Sequence, residues 1–350
     1  MILAVVAILA ASLATLHAVE PVLGSGLLVR QVLWGVAGLA LLWLLSLPSL
    51  PFYERIAPFA YGLGLVALVA VLLFGEIRGG SRAWFAIGPL TVQPSEFARL
   101  GVILLLAAWL GRRRSQMLTL REGVIIVTIV GAAALLVVAE PDLGVALTYV
   151  PLVAVALWIG GVPTRTWLVI AVLTLVCAGV LWQAGLKPYQ KERVLTVMDP
   201  ERDPYGSGYQ VRQSKIAVGS GAFTGQGLGR GPQSLLSFLP AQHTDFAFAV
   251  WAEGTGFLGA TMLLAAYGLL VLRIGLTALA TDSRHGLVLA SLVGAWLSFQ
   301  IIVNMGMVLG WLPTTGITLP LFSYGGSSLL STCIGLGIVQ SVWRHRLLYR

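Results

Sequence analysis

Charged residues are scarce in this chain: Asp, Glu, Lys and Arg supply 10% of its 350 residues, against 57% hydrophobic. A soluble globule has about a quarter of its residues charged, so that class is excluded. Cysteine is limited to Cys177 and Cys333, both inside apolar runs, which leaves no disulfide framework and no metal-ligand spacing. The opening residues Met1-Ile2-Leu3-Ala4-Val5 contain no Lys or Arg, so they lack the basic region of a signal peptide and read as a first membrane span. No period of 20–50 residues repeats, which argues against a solenoid.

What the chain has is long continuous runs of Leu, Ala, Val and Ile, with a mean hydropathy of +0.89. A bilayer core of about 30 Å takes roughly 20 apolar residues as a helix. Membrane barrels would instead show weak alternation over about ten residues. The expected fold is therefore an all-α polytopic membrane protein, one domain over residues 1–350. Ten spans are expected, at 1–19, 30–48, 56–75, 94–111, 121–139, 144–160, 165–184, 246–272, 286–309 and 324–343, with a long extracytoplasmic loop, 185–245, between the seventh and eighth.

A formal net charge of +8 would point to nucleic acid in a soluble protein, but here the charges follow topology. With both termini cytoplasmic, the short inside loops and tail carry Arg55, Arg112, Arg113, Arg114, Arg121, Arg165, Arg273, Arg284, Arg344, Arg346 and Arg350. The short outside loops carry only Arg30, Arg78 and Arg82. Long loops escape the rule, so Lys187, Lys191, Arg193, Arg202, Arg212, Lys215 and Arg230 on the outside are consistent with it. Within that loop, Ser214-Lys215-Ile216-Ala217-Val218 reads as a short amphipathic or re-entrant piece against the bundle.

Chemistry is sought among the few charges at membrane depth, each costing about 2.5–3.5 kcal/mol to insert. Glu96 and Arg99 lie three apart on one helical face, as an ion pair or as a dipole complement beside a snorkelling cation. Asp142, in Glu140-Pro141-Asp142-Leu143-Gly144, is either a helix cap or a site residue. Asp245 closes the loop in His243-Thr244-Asp245-Phe246 and again is either a cap or, with its pKa raised beside apolar surface, a general base. With Glu253 these acids would line one end of the bundle, a cluster suited to a sugar hydroxyl, a divalent cation or a proton path. No cofactor is certain. The glycines between Gly219 and Gly231 lack the following Lys-Ser/Thr and preceding strand of a nucleotide loop, and read as turns of a lid that frees Lys215 and Arg230 to meet a phosphate. Ser323 and Tyr324 open the last span beside Gly325 and Gly326, for close packing or for an anion at the helix start.

Several stretches together resemble the SEDS family (shape, elongation, division and sporulation). They are Val92-Gln93-Pro94-Ser95-Glu96-Phe97-Ala98-Arg99, Glu140-Pro141-Asp142-Leu143-Gly144, Glu192-Arg193-Val194-Leu195, Asp199-Pro200-Glu201-Arg202-Asp203-Pro204, Gln213-Ser214-Lys215-Ile216-Ala217, His243-Thr244-Asp245-Phe246 and Ser323-Tyr324-Gly325-Gly326-Ser327-Ser328. They run in family order along nearly the whole chain. Gln213-Ser214-Lys215-Ile216 and Thr315-Gly316-Ile317-Thr318-Leu319-Pro320 are similar to the rod-elongation branch more than to the division branch.

The resemblance implies a ten-helix peptidoglycan glycosyltransferase that polymerises the undecaprenyl-pyrophosphate disaccharide-peptide, lipid II, on the outer face of the bacterial cytoplasmic membrane. It implies a class B penicillin-binding protein as transpeptidase partner, with other elongation-complex membrane proteins, and no nucleic acid. The family's loop aspartate falls on Asp245 and its paired fourth-helix charges on Glu96 and Arg99, where the basic member is usually Lys. Two departures stand out: Ala252-Glu253-Gly254-Thr255-Gly256 lacks the family's second acid, and Thr91 stands where Arg is frequent. In the implied reaction Asp245 deprotonates a sugar 4-hydroxyl, with Arg212, Lys215 or Arg230 meeting the pyrophosphate. A lipid II flippase using Glu96, Arg99 and Asp142 as a polar path, and a non-catalytic scaffold for a transpeptidase, are the alternatives.

Overall fold

The computed structural model describes residues 1–346 except 25, 79, 89, 114–116, 181, 184–187, 200–201 and 204–205. Arg114, Lys187, Pro200, Glu201, Pro204 and Arg350 lie outside the described residues, as does the side chain of Cys177. Eight helices are long and apolar enough to cross a membrane: α1 Ile2–Leu23, α2 Leu27–Leu45, α3 Leu50–Phe74, α4 Pro94–Gly111, α5 Leu120–Ala139, α12 Ala247–Leu279, α13 Arg284–Val308 and α14 Gly326–His345. Two shorter apolar pieces fall on the expected sixth and seventh spans, the broken α6 Leu143–Leu147 and α7 Val150–Ile159, and α8 Thr164–Val180. Three helices, α9 Pro188–Met198, α10 Ser207–Ser220 and α11 Pro232–Leu235, occupy the long loop. A multi-pass helical membrane protein is what these elements build.

Local chemistry sets several boundaries. Thr119 and Glu122 form a reciprocal capping box on α5, Ser283 caps α13, and Asp142 accepts from the Val145 amide to start α6. Pro51 sits in the first turn of α3, which starts six residues ahead of the expected 56. The sixth span is broken at Thr148 and Tyr149, with Pro151 in the first turn of α7, where a proline lacks no needed donor. Beyond its expected end at 272, α12 continues to Leu279, with Arg273 lying over the Trp343 ring at 5.1 Å. Residues 76–92 form a three-stranded antiparallel sheet, β1 Glu76–Arg78, β2 Ser81–Ile87 and β3 Leu90–Val92.

The centre of the bundle is α4, α13 and α14, whose apolar windows are mostly buried, whereas α2, α3 and α5 present apolar side chains outward where lipid would lie. Apolar side chains gain nothing from leaving lipid, so close backbone approach binds such helices. At Gly101 of α4 a Cβ would stand 2.7 Å from the Ala60 carbonyl oxygen of α3, closer than any real contact.

In the first third of its course α12 is kinked at Gly256, whose φ of 66° and ψ of −163° are open only to glycine. The carbonyls of Glu253 and Gly254 accept from Gln226 and Gly227, while the amides of Phe257 and Leu258 donate to Ala222 and Phe223. Freed backbone groups near a membrane must find partners, and the glycine segment supplies them. It is thus docked on α12, which overturns the reading of that segment as a lid. A Cβ at Gly256 would lie 2.3 Å from the Gly225 nitrogen. Gly256→Val is expected to destabilise by at least ~1–3 kcal/mol from backbone strain alone, seen as an earlier thermal unfolding of the detergent-solubilised protein. An unchanged midpoint would contradict this account of the kink.

Candidate active site

At the end of the bundle that carries the sheet and the long loop lies a cavity of ≈ 1030 Å³. That is the upper end of the usual range for ligand pockets, about 300–1,000 Å³, and suits a large ligand. Its wall brings together Arg30 of α2, Arg78 of β1, Gln93 and Glu96 at the start of α4, Asp142, Arg193 of α9, His243 with Asp245, and Tyr324. Residues 234 apart in sequence meet here because α4 and α14 share the bundle centre and the Gln93 amide donates to Ser327 Oγ at 3.0 Å.

Asp245 stands on a tight turn in which the Ala241 carbonyl receives the amides of Thr244, Asp245 and Phe246. Two other segments clamp that turn. Asn304 Nδ2 of α13 donates to the Asp245 carbonyl at 3.0 Å and to Ile317 O at 2.7 Å. Ser323 Oγ donates to Thr244 O at 2.5 Å, and the Tyr324 amide donates to His243 O at 2.9 Å. The helix that follows has Phe246 as its N-cap with no side-chain capping bond, so the Asp245 carboxylate is not a cap. It lines the cavity, partly exposed there. Burial raises its pKa above the ordinary aspartate range, with Asp142 adding to the rise and the Thr244 hydrogen bond and Arg193 opposing it.

Asp142 is both cap and wall residue: Oδ1 accepts from the Val145 amide at 3.0 Å and Oδ2 from Gln93 Nε2 at 3.1 Å. Burial raises its pKa too. Glu140, fully buried behind it, is pushed up to about 8 by burial and by Asp142, and is therefore largely neutral at pH 7. Glu96 is the floor of the cavity. Its Oε2 accepts from Arg99 Nη2 at 3.0 Å and from Ser331 Oγ at 3.1 Å. Arg99 lies one turn deeper, fully buried, with its guanidinium 4.8 Å from the Trp296 ring centre and 5.9 Å from that of Tyr149. It does not line the cavity.

Other expected site residues are elsewhere. Arg212 and Lys215 are exposed on the outer face of α10, which turns Val211, Ser214 and Ala217 inward against α12 and α13. Arg230 is exposed beyond the docked glycine segment. None of the three lines the cavity, which corrects the reading of them as its cations: helix phase turns Arg212 and Lys215 outward, and Arg230 stands in a turn past α10. Glu253 is not in the wall either: buried, it accepts from the Gln233 and Ser234 amides and the Ser234 hydroxyl at the start of α11. Ser323 lies behind the wall as a brace, while Tyr324 is on it, its ring 5.7 Å from that of His243.

Among the described residues the cations that reach the cavity are Arg30, Arg78 and Arg193. Arg78 is paired with Glu76 at 2.9 Å, and Arg193 donates to Thr314 O at 3.3 Å. Arg193 was legible only as part of Glu192-Arg193-Val194-Leu195. Asn304 announces itself as an amide inside an apolar span. Among the described residues no three His, Cys, Asp or Glu side chains gather as a metal site. The arrangement gathers a carboxylate whose pKa burial raises and three arginines around one space of a size to take a sugar and an anion together.

The FtsW/RodA/SpoVE family model, described as a cell cycle protein, matches residues 1–347. The peptidoglycan glycosyltransferase MrdB of Escherichia coli K12 is 39% identical over 323 residues, covering 92% of this chain and 86% of that protein. The probable peptidoglycan glycosyltransferase FtsW of Idiomarina loihiensis is 38% identical, over 81% of this chain and 70% of that one. Among solved structures, a chain from a peptidoglycan synthase complex that coordinates polymerization and crosslinking superposes with a TM-score of 0.85 at 38% identity, covering 99% and 97%. The rod-shape-determining protein RodA of Thermus thermophilus superposes at 0.74 with 33% identity, covering 99% and 96%.

Proposed function

The chain belongs to the SEDS family, the cell cycle proteins that include FtsW and RodA, and from that premise we propose that it is a peptidoglycan glycosyltransferase of the rod-elongation branch that polymerises lipid II with Asp245 as general base. The observation that carries the reading is the uncapped Asp245 carboxylate on the wall of a cavity that also receives Arg193. In the reaction the 4-hydroxyl of the acceptor sugar gives its proton to Asp245. Its oxygen forms a bond to the anomeric carbon of the donor from the face opposite the leaving group, the bond from that carbon to the diphosphate oxygen breaks, and the configuration inverts. A diphosphate is a good leaving group once its charge is met, so one base suffices and the cations carry the rest. Arg193, with Arg30, is placed to meet that charge; Glu96 and Asp142 take sugar hydroxyls.

Both termini are cytoplasmic in this reading and the cavity opens outside. Support comes from the opposite end of the bundle, where Arg113 pairs with Glu122 at 2.8 Å and Arg112 with Glu54 at 3.7 Å, and Arg273 and Arg346 stack on Trp343. Residues 1–350 act as one domain, 185–245 being its outer loop. A class B penicillin-binding protein is the expected transpeptidase partner, in keeping with the likeness to a chain of a synthase complex.

The test is glycan synthesis by the purified chain alone, from lipid II, across pH. Asp245 must be ionised to accept a proton, and burial raises its pKa, so the rate is expected to fall as pH drops through a value above the ordinary aspartate range. Arg193 opposes that rise, so Arg193→Ala should carry the acid limb to higher pH as well as lower the plateau. A limb that stays in place would remove Arg193 from the site. Absence of any glycan from the isolated chain would favour the scaffold, and transport of lipid II without polymerisation the flippase.

A further inference from the structure

The long loop changes character halfway. Residues 185–215 contain ten charged residues, whereas 216–244 contain one, Arg230. A solvated loop has no reason to shed its charge. In the second half large apolar side chains nevertheless point outward: Phe223 is 65% exposed, Leu236 61%, Ile216 45% and Phe238 43%.

The length of α12 shows where these side chains sit. Its 33 residues extend about 50 Å at 1.5 Å per residue, well beyond a hydrocarbon core of about 30 Å. Past the kink, residues 257–279 alone reach about 35 Å and so cross the core unaided. Before the kink, Ala247 to Val250 and Ala252 to Gly254 are buried under α10 and the docked glycine segment. Immediately after it Phe257 is 64% and Leu258 52% exposed, as on a lipid-facing helix. The kink therefore marks the boundary of the core. Phe223 continues that apolar face across the boundary, its ring stacked on Phe257 at 6.0 Å and 24°. Gly229 abuts Ala18, near the corresponding end of α1.

We propose that residues 216–238 form a collar seated in the bilayer leaflet on the Asp245 side, with Phe223 inserted among the lipids as its anchor. The occupant of the apolar surface is lipid, because the surface is continuous with the exposed flank of α12 and carries aromatic and aliphatic side chains of the kind that settle at the headgroup boundary. By clamping α12 at its kink the collar also fixes where Asp245, two residues ahead of that helix, stands beyond the core boundary. The surface of a protein partner would be the other way to cover these side chains.

The unaltered protein tests this in vesicles of phosphatidylethanolamine and phosphatidylglycerol doped with a phospholipid bearing a diazirine on its acyl chain, with no partner protein present. After irradiation, lipid adducts are expected in peptides of 216–238 at ten times or more their yield in 188–212. Adducts in 257–279 without any in 216–238 would overturn the collar and leave the surface to a partner. A nitroxide at Phe223→Cys, in a chain also carrying Cys177→Ala and Cys333→Ala, gives an independent reading. Oxygen should relax it more than a water-soluble nickel chelate does, with the reverse at Arg202→Cys. Chelate access at position 223 equal to that at 202 would also overturn the proposal.

Discussion

Arg99→Leu is expected to cost the fold about 3–5 kcal/mol, the usual penalty for removing one partner of a buried ion pair. Arg99 is fully buried and Glu96 nearly so, their oxygen and nitrogen 3.0 Å apart. Leucine would leave Glu96 with Ser331 as its remaining side-chain donor. The loss is measured as the fall in thermal unfolding midpoint of the solubilised protein. Adding Glu96→Gln to Arg99→Leu should recover much of it, because the stranded charge is gone. Arg99→Lys keeps the charge but gives up the guanidinium's place 4.8 Å from the Trp296 ring centre, so its cost should stay near ~0.5–2 kcal/mol. Equal losses for Leu and Lys would show that shape and not charge sets the penalty.

How far the sequence foretold the molecule depends on whether the deciding interaction was local. The ends of α4 were legible because Gln93-Pro94 starts it and an arginine cluster follows it, and the structure places the helix on 94–111 as expected. Glu96 and Arg99 were legible as a pair because three residues make one face. Asp245 stood out at the meeting of a polar loop with an apolar run. Its alternative role as a cap fell away only in three dimensions, since Phe246 is the N-cap of α12 and Asn304 of α13 holds the Asp245 carbonyl from 59 residues on. The cations failed for a related reason. Arg212 and Lys215 share the loop with Asp245, but helix phase turns them out, whereas Arg193 arrives through α9. The kink at Gly256 is hidden within the expected eighth span, 246–272, because its backbone partners, residues 222–227, lie in a separate segment.

Asp245→Asn is expected to slow glycan polymerisation by about 10²–10⁴-fold, the usual contribution of a positioned general base. The amide matches the carboxylate in shape but has no pair of electrons basic enough to take the hydroxyl proton. The turn should persist, since its clamps run to backbone atoms of residues 243–245 and none depends on the carboxylate. Loss of rate without loss of fold or of lipid II binding then isolates the proton transfer. The most direct test is a time course of glycan products resolved on a gel, from purified wild type and Asp245→Asn with lipid II as sole substrate, beside a binding isotherm for each. The account predicts a lengthening ladder from wild type, almost none from the variant, and similar binding by both; a ladder from Asp245→Asn that grows at the wild-type rate would contradict it.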